Sequence, residues 1–463
     1  MSTTRESVDM RGWTRSAGVE PTVRIGIVLD EDAMNELRLR VPERRHTLDS
    51  DGGSPRRLSP RARLTVRRVG DVLAVRVGET PETTARLLRV VCASPPPLTP
   101  GVGVLVHDVV AGRGFHWQKR IDQTLTGMIE LRAGPHGVVL VNELPLEDYL
   151  AGVITAEMGG ACPAALLKAQ CVVARSWLLA MTEPKHRDEP FDRCNDDCCQ
   201  RYQGTGDLSP AALDATRATR GQVLLAPTGV VLDANYAKSC GGVSETPVAV
   251  WGLEKPGISP VVDAPPDAAE RRFFPVTEQN LDEYLDGAWL QTSRCYGSPN
   301  VVPVDAIGRY LGRVDTTDDY FRWTVRYERR VLEDLLREKI PDARELAELR
   351  DIHVRARGVS GRAYAVGLEW QDTRGEMVRS RLDSEYRIRQ VLHRKFLYSS
   401  AFAVRLEREL TGAIRAITLR GAGWGHGVGM CQIGALGMAL CAIDYETICR
   451  HYYPKAELAT VYP

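Results

Sequence analysis

A single carboxylate, Glu157, lies between two apolar segments in the first half of the chain. Val153 and Ile154 precede it and Met158 follows it. Apolar surroundings disfavour the charged form of a carboxyl group, and a proton held near neutral pH is what a general acid needs. Glu157 is therefore a candidate catalytic acid. Its position equally suits a helix-terminal cap or an ion-pair partner of Arg175.

Two cations follow on the next predicted helix. Apolar side chains dominate the segment Ala164–Met181, and Pro163 suits the first helical turn, where no backbone N–H is needed. Pro184 ends the helix because the residue before a proline resists the helical conformation. Lys168 and Arg175 are seven residues apart and so share one face of a mostly buried helix.

A cluster of metal-type side chains comes next. Its members are His186, Cys194, Cys198 and Cys199. Thiolate and imidazole are preferred zinc ligands, and the turn-rich residues between them could fold round an ion. Because the spacing is not a standard zinc-finger one, free thiols or a disulfide remain alternatives. Asp192, Asp196 or Asp197 could supply an oxygen ligand.

The segment GAGWGHGVGMCQ, residues 421–432, has glycine at every second position from 421 to 429. Such a backbone can adopt positive φ and lets a ligand or another segment approach closely. It would present Trp424 and His426 on a bare main chain. A bulged strand is the structural alternative, and a phosphate loop is disfavoured because no Gly-Lys-Ser/Thr follows. Cys431 fits the buried start of the next helix better than a nucleophile.

The bulk composition is that of a soluble globular protein with two or three domains, since the chain has 463 residues, 43% hydrophobic and 26% charged. Its formal net charge is zero, which argues against a nucleic-acid binder; the basic stretch Arg56–Arg68 is predicted to be a solvated loop. No apolar run approaches the ~18 residues of a membrane span. The first twenty residues lack the apolar core of a secretory signal. The 11 cysteines, an odd number, do not fix the redox compartment.

Strand-like and helix-like segments are mixed, which predicts an α+β fold. Predicted strands are Val23–Leu29, Leu64–Val77, Phe115–Lys119, and the hairpin of Asp351–Arg357 with Ala363–Trp370. The polar segment Pro42–Pro60 is predicted to be a loop. The proline-rich segment Ala93–Gly101 is predicted to be a domain boundary.

Several motifs of the chain resemble, in order, those of the SpoIID/LytB family over about residues 137–455. The matching stretches are VNELPLEDYLAGVITAEM, ALLKAQCVVARSW, CNDDCCQRYQG, NYAKSCGGVSE, GRYLGRVD, LYSSAF and GAGWGHGVGMCQIGALGMA. The family comprises bacterial cell-wall proteins, among them lytic transglycosylases and amidase enhancers. The resemblance implies a peptidoglycan lytic transglycosylase that forms 1,6-anhydro-N-acetylmuramic acid ends, or a non-catalytic amidase enhancer.

Carried over residue by residue, the resemblance makes Glu157 the acid of the family's "EM" motif and Lys168 and Arg175 two basic positions after it. It implies a zinc, more structural than catalytic, on His186, Cys194 and Cys199, with Cys198 beside them. Implied substrate-binding residues are Tyr236, Ser239, Trp424, His426 and Gln432. The stretch Gly159–Cys162 departs from the family, which more often has proline and tryptophan near the acid.

The expected organisation has three parts: a β-rich region of unknown role over residues 1–95, a small β region over 96–142, and a family-like catalytic domain over 143–463. We expect two lobes round a cleft, with Glu157 on one wall and the His426 segment on the other. The resemblance implies peptidoglycan strands as partner, a cell-wall amidase as a further one, and a location in the cell envelope.

Overall fold

The computed structural model describes residues 18–51, 53–114, 118–180, 185–311 and 320–463. The N-terminal segment examined for a signal lies outside these ranges up to residue 17. So do residues 115–117 of the predicted strand Phe115–Lys119, the predicted helix end at Met181, Pro184, and residues 312–315 of the GRYLGRVD stretch.

The strands of the described ranges are β1 (Thr22–Val28), β2 (Glu36–Arg40), β3 (His46–Ser50), β4 (Arg56–Leu58), β5 (Arg63–Val69), β6 (Val72–Val77), β7 (Thr83–Ala85), β8 (Leu87–Cys92), β9 (Val104–Ala111), β10 (Lys119–Leu125), β11 (Met128–Ala133), β12 (Val138–Pro145), β13 (Arg193–Cys194), β14 (Gln222–Leu225), β15 (Tyr236–Ala237), β16 (Arg322–Glu328), β17 (Leu346–Arg357), β18 (Ala363–Asp372), β19 (Met377–Asp383), β20 (Phe402–Arg408), β21 (Ile414–Ala422), β22 (Met430–Cys431) and β23 (Glu457–Thr460). The helices are α1 (Leu146–Glu157), α2 (Ala164–Ala180), α3 (Pro210–Ala218), α4 (Pro247–Trp251), α5 (Leu281–Asp286), α6 (Val304–Leu311), α7 (Arg329–Lys339), α8 (Glu385–Val391), α9 (Gln432–Leu440) and α10 (Tyr445–Tyr452).

The chain folds into two compact units. The N-terminal unit contains the described residues of 18–160, 185–221 and 461–463; the C-terminal unit contains those of 161–180 and 222–460. The domain boundaries expected at residues 95 and 142, and the cleft expected between two lobes, stay predictions.

The N-terminal unit is built mainly from two sheets. One has the strand order β13-β1-β12-β11-β8-β3-β4 and the other β10-β9-β2-β5-β6-β7. Strand β5 shows why they form: Leu64 and Val66 are buried, whereas the alternate residues Arg63 and Arg67 are exposed. The β-rich N-terminal region is therefore confirmed, and the expectation of a solvated loop over the basic stretch is wrong.

The predicted loop Pro42–Pro60 is also wrong, because it contains β3 and β4 at the edge of the larger sheet. The segment is polar overall, yet His46, Leu48 and Leu58 are buried on one face. Strand β4 is the edge strand, and β3 pairs with both β4 and β8. Antiparallel strands need only one apolar face, so polar composition alone does not exclude them.

The C-terminal unit combines short sheets with most of the helices. Its three-stranded sheets have the orders β16-β21-β20 and β17-β18-β19. Helix α7 packs its buried leucines against them, in a core that includes Trp370 and Phe402. The hairpin predicted for residues 351–370 is confirmed as β17 and β18. The α+β class is confirmed as well. In the described ranges, no helix is both long and apolar enough to cross a membrane.

Candidate functional site

Glu157 is the last residue of α1, in the N-terminal unit. The helix is buried from Leu146 to Ile154 except for Asp148, and its last turn is partly exposed. The Glu157 Oε1 atom accepts a hydrogen bond from the Arg201 backbone N–H at 3.3 Å. The negative end of the helix dipole disfavours a carboxylate at this position, whereas the N–H donor favours one. Two opposing influences thus act on one carboxyl group.

The segment that carries this N–H donor is fixed to α1 by its neighbours. The Arg201 guanidinium pairs with Asp197 through bonds of 2.9 and 3.0 Å. The Tyr202 ring lies 5.0 Å from the Tyr149 ring of α1. It also lies against Gly152, where a Cβ would come within 2.5 Å of the ring, so only glycine fits. The loop after the cysteines therefore sets the position of the donor.

The structure brings the four predicted metal-type side chains together. One donor atom from each of His186, Cys194, Cys198 and Cys199 lies within 4.8 Å of the others. The Cys194 and Cys198 sulfurs are 3.0 Å apart. Cys194 is on β13, which pairs with β1, so one of the four side chains is fixed by the large sheet. Cys198 and Cys199 lie on the turn that follows, and His186 lies on the segment before.

The electrostatics of this cluster favour a cation. The neighbouring thiols of Cys194 and Cys199 lower the pKa of Cys198. Cys198 and Cys199 raise the pKa of His186 to about 9. The His186 Nε2 atom is buried and makes no hydrogen bond within the described part of the chain. A three-sulfur, one-nitrogen donor set with an unsatisfied ring nitrogen fits a structural zinc site. Zinc itself stays a prediction.

The three aspartates considered as oxygen ligands are engaged elsewhere. Asp192 accepts the backbone N–H of a β1 residue at 2.9 Å. Asp196 pairs with Arg113 at 2.9 Å, and Asp197 pairs with Arg201. Cysteine and histidine are thus the donors that face one another.

The two predicted cations lie on α2, in the C-terminal unit. The Lys168 Nζ atom is 5.7 Å from the centroid of the Tyr445 ring, a cation–π contact. Arg175 is fully buried, and its guanidinium donates to the Gln222 carbonyl at 2.9 Å and to the Cys171 carbonyl at 3.4 Å. Arg175 thus joins α2 to the start of β14. A catalytic role for either cation stays a prediction.

The glycine-rich segment has the backbone that its spacing predicts. Gly423, Gly425, Gly427 and Gly429 have φ of 78°, 85°, 71° and 74°. At Gly427 a Cβ would lie 2.3 Å from the Arg362 guanidinium carbon, and at Gly429 it would lie 1.9 Å from the Asn235 carbonyl oxygen. The groups that approach this bare backbone closely are therefore parts of the protein itself.

His426 is bonded to its own backbone surroundings. Its Nδ1 accepts the Val428 N–H at 3.0 Å, and the ring also hydrogen-bonds to the Tyr236 backbone. Desolvation, helped by cations of which Arg362 is the strongest, lowers the pKa of His426 to about 3. The ring is therefore neutral at physiological pH. Its predicted role as a sugar contact stays a prediction.

Of the five predicted substrate-binding residues, three lie in this glycine-rich segment and two, Tyr236 and Ser239, lie beside it in the C-terminal unit. Ser239 and Trp424 exchange two backbone hydrogen bonds, of 3.1 and 2.8 Å. Tyr236 on β15 pairs with Met430 on β22. Gln432 begins α9 and is buried. The two groups of residues are far apart in sequence, so their proximity could not be predicted. The Ser239–Trp424 bridge and the β15–β22 pairing bring them together.

Sequence reasoning missed an aromatic and charged group beside His426. The Trp251 ring lies 5.0 Å from the His426 ring and is 36% exposed. The Lys255 Nζ atom lies 4.6 Å from the centroid of the Trp251 ring and pairs with Asp233 at 2.8 Å. Of these residues, only Trp251 could have been noticed in the sequence, because it is a tryptophan next to Gly252 in a proline-containing stretch. The lysine and aspartate are ordinary in sequence.

Comparison with known proteins finds a partial family match. Residues 135–225 match the model of SpoIID, described as Stage II sporulation protein. Residues 305–429 match a model described as a domain of unknown function, DUF8618. The chain is 25% identical over 321 residues to an uncharacterised protein of Brachyspira hyodysenteriae, which covers 69% of this chain and 68% of that protein.

Proposed function

We propose that this chain is a peptidoglycan lytic transglycosylase, because its residues 135–225 match the SpoIID family model. The family is associated with a cell-wall-related role at the cell envelope. The proposed reaction cuts the glycan strand between N-acetylmuramic acid and N-acetylglucosamine. The observation that supports it most is the position of Glu157, partly exposed at the end of a buried helix and hydrogen-bonded by one backbone N–H.

The Glu157 carboxyl group acts first as an acid. It donates its proton to the bridging oxygen while the bond from that oxygen to C1 of the muramic residue breaks. The carboxylate that results accepts the Arg201 N–H, which stabilises its new charge. The helix dipole opposes that charge.

The same carboxylate then acts as a base. It accepts the proton of the C6 hydroxyl of the same sugar, whose oxygen attacks C1 and closes the 1,6-anhydro ring. Most glycosidases need a second carboxylate for water or as nucleophile. Here the substrate supplies the nucleophile within one molecule, at a high effective concentration. One acid is therefore sufficient.

The two cations of α2 are proposed to differ in role. Lys168 is partly exposed, so its ammonium can reach a substrate carbonyl or the lactyl carboxylate. Arg175 is fully buried on two backbone carbonyls. It would therefore be a positioning residue that holds α2.

A zinc ion would be held by His186, Cys194, Cys198 and Cys199. When bound, it would cross-link the loop as a structural ion, since all its positions would be taken by protein ligands. The residues just after this cluster include Arg201, whose N–H meets Glu157. The cluster is thus proposed to set the position of the donor on the catalytic acid.

A second candidate function is a peptidoglycan-binding amidase enhancer without activity of its own. The partly exposed Trp251, whose ring lies 5.0 Å from the His426 ring in the C-terminal unit, favours it, because aromatic faces suit sugar rings. In that case a cell-wall amidase is the partner and Glu157 has a structural role.

One incubation separates these functions. The full chain is mixed with purified glycan strands stripped of peptides, and the products are identified by mass spectrometry. Anhydro-muramic ends support the transglycosylase. Intact strands that co-sediment with the protein support the enhancer, and ordinary reducing ends would contradict the single-acid reaction.

A further inference from the structure

A second cluster of sulfur and oxygen donors lies inside the C-terminal unit. Cys240, Asp263 and Cys431 each place one donor atom within 4.8 Å of the others. Their exposed fractions are 1%, 0% and 1%. The three residues come from segments distant in sequence, and neither the proposed reaction nor the family motifs give Asp263 a role. Three acidic groups buried together need either protons or a cation.

Backbone N–H groups point at both sulfurs. The Gly242 N–H donates to Cys240 Sγ at 3.3 Å. The N–H groups of Cys240 and Gly434 each donate to Cys431 Sγ at 3.2 Å. These hydrogen bonds fix the positions of both sulfurs, as outer hydrogen bonds do for metal ligands.

The carboxylate is oriented from outside the cluster. Asp263 Oδ1 accepts the Tyr452 hydroxyl at 2.6 Å, and Oδ2 accepts the Gly297 N–H at 3.2 Å. A Cβ at Gly434 would lie 2.4 Å from both carboxylate oxygens, so glycine is required where α9 begins. Metal-ligating carboxylates are held by outer hydrogen bonds of this kind.

A fourth donor lies beside these three. The Nε2 atom of His451 is 4.0 Å from Asp263 Oδ1. It is buried and has no hydrogen-bond partner in the described residues. Ligand atoms of a tetrahedral zinc ion lie about 3.4–3.8 Å apart, given metal–ligand bonds of about 2.0–2.3 Å. The three atoms of the cluster lie within 4.8 Å of one another, so small shifts would bring them to that geometry. The His451 Nε2 atom lies outside this group but 4.0 Å from Asp263 Oδ1, so the histidine ring would have to move toward the sulfurs to become the fourth ligand.

We propose that Cys240, Asp263 and Cys431 form a second metal site, for a divalent cation of the zinc class, with His451 as its fourth ligand once the ring moves toward the sulfurs. The ion would cross-link three parts of the C-terminal unit: the residues just after β15, the segment that contains Asp263, and the start of α9. Its role would be structural, because four protein ligands leave no open position. The proposal does not depend on glycan cleavage.

The competing account is a metal-free network. In it both cysteines stay protonated and their S–H groups donate to Asp263, which can accept four hydrogen bonds in all. A disulfide between Cys240 and Cys431 is the other alternative. The three accounts differ in metal content and in free thiols, so both can be measured on the same protein.

The experiment counts zinc in the full chain by native mass spectrometry and elemental analysis, after purification without chelator. Variant D263N keeps the size of the side chain and removes a charged ligand, and variant C198S removes a ligand of the other cluster. We expect D263N to lose one zinc per chain and C198S to keep that one. Cobalt(II) loaded into C198S should show a thiolate charge-transfer band, which D263N/C198S should lose.

Two results would overturn the proposal. One is an unchanged zinc content in D263N. The other is a C198S protein that contains no zinc. If all its thiols then react with an alkylating reagent after denaturation, the metal-free network is supported; if two thiols do not react, the disulfide is supported. Because the count is made on the C198S chain itself, a failure to fold in D263N alone does not leave the question open.

Discussion

Two histidines, one in each unit, show opposite arrangements. His186 lies among three thiols, of which Cys198 and Cys199 raise its pKa to about 9, and its Nε2 has no hydrogen-bond partner in the described part of the chain. His426 accepts the Val428 N–H and has its pKa lowered to about 3 by desolvation and nearby cations. His186 therefore fits the predicted zinc site. The His426 ring, in contrast, hydrogen-bonds to the backbone of the protein itself, at Val428 and Tyr236.

This difference shows that a histidine in a loop rich in small residues can have either a ligand-binding or a purely structural role. Residue type and spacing suggested a functional role for both rings. What separates them is the partner of each ring nitrogen, which depends on segments far away in sequence. The predictions below test that separation.

Metal removal should have the largest effect. A chelator, or the variant C198S, should destabilise the N-terminal unit by several kcal/mol, because the free energy of metal binding contributes directly to folding. At about 2–4 °C per kcal/mol this corresponds to a melting temperature lower by about 10 °C or more. Differential scanning calorimetry with and without chelator measures it.

The matched control is C92S, which makes the same substitution on β8 of the same unit, away from the cluster. It should keep its metal and its response to chelator. If chelator changes the melting temperature of neither wild type nor C92S, His186 binds no metal, and the proposed difference between the two histidines is wrong.

Substitution of His426 should have a smaller effect that depends on hydrogen-bond geometry. H426A leaves the buried Val428 N–H without an acceptor, which costs about 1–3 kcal/mol. In H426N the side-chain oxygen can take the place of Nδ1, so we expect less than half of that loss. Urea unfolding measures both, and both variants lose the contact with the Trp251 ring. Equal losses in the two variants would contradict a role as acceptor.

The pH dependence of stability should differ between wild type and H426N. Since the pKa falls from 6.5 to about 3 on folding, the unfolded chain binds one proton more between those values. The neutral ring's contribution is complete above pH 6.5 and is lost as the pH falls. Wild type should therefore lose up to about 1.4 kcal/mol per pH unit more than H426N. Parallel curves from urea unfolding at pH 7.5 and 5.5 would show that His426 does not titrate in this way.

The smallest expected effect is on glycan binding by the C-terminal unit. W251A should weaken binding of glycan strands by about 3–10-fold, because it removes the partly exposed aromatic face proposed to contact sugar rings. Co-sedimentation with cell walls measures the affinity. L410A, at a fully exposed residue, is the control and should bind as wild type does. Equal binding by both variants would remove Trp251 from the glycan site.

Sequence patterns predicted what depends on neighbours along the chain. The apolar pattern predicted α2 correctly from Ala164 to Ala180, where the described range ends, and glycine spacing predicted the positive φ values from Gly423 to Gly429. Patterns failed where pairing decides, as in β3 and β4, which are polar strands held by a sheet edge. The cysteines at 194, 198 and 199 are close in sequence and were found, whereas Cys240, Asp263 and Cys431 meet only in the folded chain.

The central claim is that one carboxyl group does the chemistry. The direct measurement is the rate at which E157Q releases anhydro-muramic products from glycan strands, with E143Q as control because Glu143 is a partly exposed carboxylate that pairs with Arg24. The account predicts a loss of about 10²–10⁴-fold or more for E157Q, with the melting temperature unchanged and E143Q active. Release by E157Q at the wild-type rate would contradict it.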